Sequence, residues 1–245
     1  MDANATAVLF AHPDALCAEG AALPAVLDDA DRAHIARFRF DRDRRLAAAS
    51  RAVQRMAVAA AAGDADVAPA LRFVRGDNGK PRIDVPAALR CWQFNTSNAH
   101  GLVGCAVATH ALGLDIEPLA RALAPELVAH CCSDAERAAL GALADDRARA
   151  AVFFALWTRK EAWMKATGMG LSIEPARVGF AARGASTFGA ATFDVLLDGD
   201  AQAAGAWVVR DLPAGDAHAA ALCVREAHAT APVGITWVSV GAARM

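Results

Sequence analysis

The sequence predicts an α+β protein made of two similar lobes, a pseudo-duplicated arrangement in which one long helix packs on a small, mostly antiparallel sheet. Two long helical stretches, residues 44–62 and 147–167, divide the chain evenly, and short β-type runs accompany each of them. With 245 residues, the chain is long enough for two cores. We place the lobes at residues 1–110 and 111–245, and we expect the functional site between them.

The first half predicts strands and helices in alternation. Residues 24–38 form a predicted helix that opens on Pro24, a residue suited to the first helical position. The alanine-rich helix 44–62 is followed by Gly63, a typical helix terminator. The Asn78-Gly79 pair predicts a hairpin turn. The predicted strands of this half are residues 6–11, 71–75, 82–85, 91–94 and 102–108.

The second half predicts a strand, a helical region and a run of further strands. Strand 113–117 is expected to pair with strand 102–108, because only a short connection separates them. A partly helical region covers residues 121–144, and the long helix 147–167 ends at Gly168. From residue 178 onward the predicted strands are 192–197, 206–210, 219–224 and 235–240.

Composition narrows the classes of function. The net charge of −2 gives no basic excess for nucleic acid, and the longest apolar runs, seven and eight residues, are far below the roughly 18 of a membrane span. The start Met-Asp-Ala-Asn-Ala lacks the basic segment of a secretory signal, so we expect a cytoplasmic protein. The six cysteines form no CxxC pair and the seven histidines no zinc-ligand spacing, which indicates reduced structural thiols.

Two short motifs carry the chemistry. In Gly113-Leu-Asp-Ile-Glu117, Asp115 and Glu117 are two residues apart in a β-type run and therefore share one face of the strand. In the helix, Glu161 and Lys165 are four apart and therefore neighbours. Carboxylates that leave room for phosphate suit Mg²⁺, and a lysine adds a point charge for a phosphate oxygen. Alternatively, the first pair is an exposed strand edge and the second a surface ion pair worth only ~0.3–0.5 kcal/mol.

These motifs, taken in order, resemble those of the 4′-phosphopantetheinyl transferases, specifically the two-lobed surfactin-synthetase-activating (Sfp) type. The resemblance covers about residues 37–171. Its markers are Gly79-Lys-Pro81, Phe94-Asn-Thr-Ser-Asn98, Gly113-Leu-Asp-Ile-Glu117, and a helix from Trp157 to Lys165 followed by Gly168-Met-Gly-Leu171. The Gly-Leu-Asp-Ile-Glu motif gains its specificity from the Trp-x-x-Lys-Glu-Ala-x-x-Lys helix about forty residues later.

The resemblance implies an Mg²⁺-dependent enzyme that moves the phosphopantetheine arm of coenzyme A onto a serine of an apo carrier protein and releases adenosine 3′,5′-bisphosphate. It implies that the first lobe contacts coenzyme A and the carrier, and that the second holds the metal. The implied metal ligands are Asp115, Glu117 and Glu161. Glu161 is our candidate base, and Lys165 is expected to act in catalysis and contact the pyrophosphate. The implied coenzyme contacts are Arg45, Lys80, Pro81, Ser97, Asn98, Asp115 and Lys165.

One residue departs from the family pattern. Where the family often has histidine after the serine of Asn-x-Ser-His, this chain has Asn98, with His100 two positions later. A carboxamide donates a hydrogen bond to phosphate but cannot become cationic. His100 or nearby arginines would supply the missing charge, or His100 is an ordinary loop residue. Asn98 also motivates an alternative, a coenzyme- or carrier-binding relative without turnover. A magnesium phosphohydrolase is a third candidate.

Charge is concentrated in residues 31–55, which contain eight arginines against three aspartates. Such a run is usually a solvated helix face. It would also suit an acidic partner. The resemblance implies such a partner, because the carrier proteins that this family modifies are expected to be acidic around the modified serine. The resemblance further implies a monomer, because both halves of the cleft lie in one chain, with no nucleic-acid or membrane partner.

Overall fold

The computed structural model of the chain describes residues 5–18, 20, 23–76, 79–185 and 191–238. It divides into two compact units: residues 1–112 together with 230–245, and residues 113–229. The strands are β1 Thr6–Ala11, β2 Arg72–Arg75, β3 Pro81–Val85, β4 Gln93–Ala99, β5 Leu102–Ala108, β6 Leu112–Pro118, β7 Val178–Ala185, β8 Ala191–Leu197, β9 Trp207–Leu212, β10 His218–Arg225 and β11 Val233–Val238. The α-helices are α1 Pro13–Leu16, α2 Asp29–Ala36, α3 Asp41–Ala62, α4 Pro125–Cys131, α5 Asp134–Gly141, α6 Asp146–Thr167 and α7 Ala201–Ala204.

The first unit is a four-stranded sheet covered by α3. The strand order is β11-β1-β5-β4; β1 and β11 run parallel, and the other pairs are antiparallel. Helix α3 buries its alanine- and valine-rich face, including Ala52, Val53 and Val58, against this sheet. Gly63 ends the helix with φ +72°, a left-handed conformation that glycine adopts without steric penalty.

The second unit is a five-stranded sheet with α6 packed on β9 and β10. Its strand order is β6-β10-β9-β8-β7, and β7, β8, β9 and β10 are joined by antiparallel pairing. Trp163, Met164 and Val209 are buried between helix and sheet. Helices α4 and α5 cover a second apolar cluster that includes Phe153 and Phe154 of α6. The predicted α+β class, with a long helix on a small sheet in each half, is confirmed.

Three sequence-based expectations differ from the structure. Strand β5 does not pair with β6: both of its edges are taken, by β1 and β4, and β6 instead joins β10. Helix 24–38 is shorter, because Asp28 caps α2 by accepting a hydrogen bond from the Asp31 amide at 2.8 Å. The C-terminal strand was assigned to the second lobe, yet β11 pairs with β1 in the first unit.

Two smaller predictions concern the hairpin and the cysteines. The hairpin of β2 and β3 forms as predicted, while residues 77 and 78, including Asn78 of the predicted turn, lie outside the described residues. All six cysteines are free thiols, and five of them are buried. Burial raises the pKa of Cys17 to about 11 and that of Cys105 to about 12, which makes these thiols poor nucleophiles. Among the described helices, none combines the length and the apolarity needed to cross a membrane.

Candidate functional site

The site in the second unit begins with the close approach of β6 to α6. A Cβ atom on Gly113 would lie 2.1 Å from the carbonyl oxygen of Ala162 and 2.4 Å from the amide nitrogen of Ala166. Both atoms belong to the helix backbone and cannot rotate away, so only glycine fits here. This contact sets the next residues of β6 alongside the helix turn that carries Glu161 and Lys165.

Asp115 and Lys165 form the centre of the site. Asp115 is almost completely buried, and the Nζ atom of Lys165 donates a hydrogen bond to its Oδ1 atom at 2.5 Å. A buried carboxylate requires a partner of this kind, because burial removes its hydration. The lysine, predicted from its motif alone, is therefore the counter-charge of the predicted metal ligand.

Glu117 lies two residues further along β6 and is held by the indole of Trp157. Trp157 Nε1 donates to Glu117 Oε1 at 3.2 Å, and Arg121 Nη1 lies 4.0 Å from Glu117 Oε2. Burial raises the pKa of Glu117, and the negative charge of Asp115 raises it further. The Trp157 side chain also packs against both apolar clusters of this unit.

Glu161 shares the same electrostatic environment. Burial is the main cause that raises its pKa, the charge of Asp115 adds to the increase, and Lys165 opposes it. Asp115 is thus the charge that connects the two glutamates, since it raises the pKa of each of them. The structure brings Asp115, Glu117, Glu161 and Lys165 together.

The donor set fits a hard divalent cation. In the part of the chain that the structure describes, no three acidic, histidine or cysteine side chains form a ready-made metal cluster. Asp115 is instead neutralised by the Lys165 ammonium, while Glu117 and Glu161 have raised pKa values. Asp115 repels both glutamates and has one cationic partner, Lys165, so an additional positive charge would stabilise this site, and oxygen ligands are those that Mg²⁺ prefers.

A separate cavity of about 450 Å³ lies in the first unit. Asn98 and Thr96 of β4 line it, as alternation along the strand requires, and α3 contributes Arg51 and Gln54. Gln54 is 4% exposed, and its Nε2 atom, like the Oγ atom of Ser50, has no hydrogen-bond partner among the described residues. Other lining residues are His34, Phe38, Asp43, Leu46 and Ala47.

This cavity was not predicted, although the sequence contained one signal for it. Ser50 and Gln54 are polar residues one helical turn apart inside an otherwise alanine-rich helix. Buried polar groups that lack a protein partner are uncommon, and beside an open cavity they are available to hydrogen-bond a water, an ion or a polar ligand. Among the predicted coenzyme contacts, Asn98 lines this cavity.

The remaining predicted coenzyme residues are distributed over other parts of the first unit. Arg45 is engaged with Asp14 at 3.0 Å and Asp41 at 3.1 Å, and it lines a different cavity. Lys80 donates to the carbonyl oxygen of Leu112 at 2.7 Å, and Pro81 begins β3. Ser97 is buried on β4, between the two residues that line the cavity.

The chain is similar to known transferases along most of its length. The family model described as 4′-phosphopantetheinyl transferase superfamily matches residues 111–223, and the model described as 4′-phosphopantetheinyl transferase, N-terminal, matches residues 17–110. The 4′-phosphopantetheinyl transferase HetI of Nostoc sp. is 33% identical over 153 residues, 61% of this chain and 63% of the relative. The 4′-phosphopantetheinyl transferase gsp of Aneurinibacillus migulanus is 31% identical over 101 residues, 41% of this chain and 40% of the relative.

The aligned parts thus span less than two thirds of either relative's length. The two family models adjoin at residues 110 and 111, close to the division between the compact units, and the second of them contains the four residues of the acidic site. With both models matching in this order, the chain belongs to the 4′-phosphopantetheinyl transferase superfamily.

Proposed function

We propose that this protein transfers the 4′-phosphopantetheine group of coenzyme A to a serine of an apo carrier protein and releases adenosine 3′,5′-bisphosphate. The observation that carries the proposal is the convergence of Asp115, Glu161 and Lys165 where β6 meets α6. The names of the two relatives, both phosphopantetheinyl transferases, support the same activity.

In this reaction, Glu161 and Lys165 would have different roles. The serine oxygen forms a bond to the β-phosphorus of coenzyme A, and the bond from that phosphorus to the bridging oxygen breaks. Glu161 is the group we assign to accept the serine proton, and its raised pKa brings it closer to the working pH of a base. Lys165 would contact the pyrophosphate, where a point charge balances the negative charge that moves to the leaving phosphate.

Asp115, Glu117 and Glu161 are the residues that would hold Mg²⁺. When bound, Mg²⁺ polarises the phosphoryl oxygens and neutralises charge on the leaving group. Trp157 fixes the carboxylate of Glu117 through its indole N–H, so its contribution is to keep that ligand oriented.

The first unit would supply the coenzyme contacts. The cavity beside Asn98 offers unpartnered amide and hydroxyl groups, and Arg51 and His34 line the same space, so a polar, phosphate-bearing group fits its chemistry. Lys80, Pro81 and Ser97 remain proposed contacts, and Arg45 contributes there only if it leaves its two aspartates. The whole protein would then act as a monomer with coenzyme A and a carrier.

The proposal is tested by intact-mass spectrometry of a panel of apo carriers incubated with coenzyme A and Mg²⁺. Acyl, polyketide and peptidyl carrier domains are all included, because the sequence does not identify the acceptor. We expect a phosphopantetheine mass increment on at least one carrier. The variants Asp115→Asn and Glu161→Gln keep the side-chain shape and should reduce the rate by about 100-fold or more, as loss of a principal electrostatic or proton-transfer group does. The matched control Glu174→Gln changes an exposed glutamate of the same unit.

Each alternative gives a different result in this assay. Coenzyme binding without any mass increment and without release of adenosine 3′,5′-bisphosphate would indicate a binding protein. Cleavage of coenzyme A in the absence of every carrier would indicate a phosphohydrolase. Full activity of both variants would refute the assignment of the acidic site.

A further inference from the structure

A cavity of about 880 Å³ lies in the second unit, lined by the turn after β6, by helices α4 and α5, and by the first turns of α6. Cavities of roughly 300–1,000 Å³ are the usual size of small-molecule sites in proteins. Its described lining includes none of the four residues of the acidic site, Asp115, Glu117, Glu161 and Lys165. It is also distinct from the cavity beside Asn98, which belongs to the first unit.

The floor of this cavity is apolar. Leu140 and Ala150 are buried, and Leu119, Leu123 and Val128 are half-buried. All five belong to the apolar cluster that α4 and α5 cover, so the half-buried three contact the core on one side and the cavity on the other. Apolar surface that remains in contact with water is unfavourable, and an apolar ligand would remove it from water.

The rim of the cavity is cationic. Four arginines line it against a single acidic residue, Asp146. Two of these arginines, Arg137 and Arg149, are held by backbone carbonyls and by the carboxylates of Asp134 and Asp146. These bonds fix the ends of α5 and the start of α6, and they neutralise the one acidic residue of the lining.

The other two arginines, Arg121 and Arg147, have guanidinium donors available to a ligand. Arg147 is exposed, and its side chain makes no hydrogen bond or ion pair within the part of the chain that the structure describes. Arg121 lies over the ring of Phe154, and its Nη1 atom is 4.0 Å from Oε2 of Glu117, which is beyond hydrogen-bond distance. A guanidinium presents its donors in a geometry that matches a carboxylate.

We infer that this cavity binds a single-chain fatty acid, with the carboxylate paired to Arg121 and Arg147 and the alkyl chain on the apolar floor. The cationic rim attracts an anionic head group and repels a cationic one. A concave cavity encloses one chain, whereas contact with a bilayer requires an apolar face that lies on the membrane surface, so a free fatty acid fits better than a membrane lipid. This inference goes beyond the proposed function and does not depend on it.

The test is isothermal titration calorimetry of the full 245-residue chain with decanoate, without coenzyme A, Mg²⁺ or carrier. Decyltrimethylammonium offers the same chain with the opposite charge, and hexanoate the same charge with a shorter chain, all below their micelle concentrations. Arg147→Gln removes a rim charge, and its control is Arg75→Gln, an exposed arginine of the first unit. Ala129→Trp fills the cavity from an exposed position of α4, and its control is Ala139→Trp, an exposed position of α5 outside the lining.

We expect saturable binding of decanoate at one site, tighter than that of hexanoate by roughly two- to fourfold for each added methylene group. Decyltrimethylammonium should not bind measurably. Arg147→Gln should weaken decanoate binding by about 5- to 10-fold, because a hydrogen bond between charged groups is lost. Ala129→Trp should weaken it by more than about 10-fold, because the indole occupies the space of the chain. Both controls should bind like the wild type.

Four results would overturn the inference. Absence of saturable decanoate binding to the wild type would refute the site. Unchanged binding in both Arg147→Gln and Ala129→Trp would place the fatty acid elsewhere on the protein. Equal affinity for decyltrimethylammonium would show apolar contact without recognition of the anion. A concentration-dependent dimer in light scattering that disappears in Ala129→Trp would assign the cavity to a second copy of the chain. Failure of the wild type to modify any carrier would refute the proposed function alone, because the titration contains no carrier.

Discussion

At the scale of the residue, two lysines of helix α6, Lys160 and Lys165, have different roles. Lys165 contacts Asp115, whereas Lys160 is fully buried and donates to the carbonyls of Cys131 and Pro175 and to Glu136 at 2.7 Å. Five residues along an α-helix correspond to about 140° of rotation, so the two side chains leave the helix in different directions. Lys160 therefore ties α4, α5 and the turn after α6 to the helix that carries the acidic site.

We expect Lys160→Met to lower the free energy of unfolding by about 3–5 kcal/mol, because it leaves Glu136 and two carbonyls without their buried partner. The double variant Lys160→Met/Glu136→Gln should recover a large part of this loss, since neither charge is then left alone. Urea denaturation measures both. As a control, Glu174→Gln, which changes an exposed glutamate of the same unit, should alter the free energy of unfolding by about 0.5 kcal/mol or less. A stable Lys160→Met protein would refute the structural role.

The raised pKa values of Glu117 and Glu161 predict how stability responds to pH and metal. Burial and the charge of Asp115 hold both above the ordinary value of 4.5, so the folded state binds more protons than the unfolded chain just above that pH. Stability contributed by these protonated groups is present below about pH 4.5 and is lost as the pH rises through the folded-state values.

Because Mg²⁺ competes with those protons, we expect Mg²⁺ to raise Tm more at pH 7 than at pH 5. Differential scanning fluorimetry with and without MgCl₂ measures this difference. Asp115→Asn should remove most of the Mg²⁺ response, and Glu174→Gln should retain it. A response that is larger at pH 5 would contradict the sign of the pKa shifts.

At the scale of the element, the distance between a strand and a helix determines the site. The Gly113 position lets the backbone of β6 touch the backbone of α6, and Asp115 and Glu117 follow it along the strand. Helix α6 is fixed on another side by Arg159, whose guanidinium forms two hydrogen bonds with Asp211 of β9 at 2.7 and 2.8 Å. The two elements are thus held at a spacing that places their carboxylates together.

We expect Gly113→Ala to destabilise the second unit by about 3 kcal/mol and to abolish transfer, because the new methyl group would displace helix backbone. Gly141→Ala is the matched control: a Cβ there meets no atom within 4 Å, and α5 should gain up to about 1 kcal/mol from reduced backbone freedom. Thermal unfolding of both variants, followed by the transfer assay, distinguishes them. Normal activity of Gly113→Ala would show that the close approach is unnecessary.

At the scale of the whole molecule, the chain returns to its first unit at the end. Strand β11 lies beside β1 in parallel, and its last residue, Val238, is buried in the core of that unit. The second unit is therefore an uninterrupted segment, residues 113–229, between two parts of the first. Folding of the first unit requires residues more than 200 positions apart, which makes it the unit of higher contact order.

We expect Val238→Asp to lower the stability of the first unit by more than about 3 kcal/mol, because it places a carboxylate among apolar side chains. Thr236→Asp introduces the same charge at an exposed position of the same strand and should change stability by about 1 kcal/mol or less. Hydrogen exchange measured on the β1 amides should increase in the first variant only. Unchanged protection of β1 in Val238→Asp would mean that β11 does not stabilise this sheet.

Sequence patterns predicted the local elements and the main acidic site, since periodicity encodes which side chains share a face. The 2-residue spacing of Asp115 and Glu117 and the 4-residue spacing of Glu161 and Lys165 were sufficient to group those four residues. The strand partners were predicted less well. The short connection between β5 and β6 suggested that these two strands pair. Instead, β5 pairs on one edge with β1, which is distant in the sequence, and on the other edge with β4, which directly precedes it.

By itself, then, the sequence determined the α+β class and the family, and it predicted the carboxylates that we propose as ligands of a divalent cation, because each depends on short spacings along the chain. Only the tertiary structure decided which groups the buried Lys160 contacts, which arginines remain exposed, where the polar cavity beside Asn98 lies and where the last strand pairs. These outcomes arise from contacts between residues far apart in the chain, and no local pattern specifies which partner a buried charge or an open strand edge will meet.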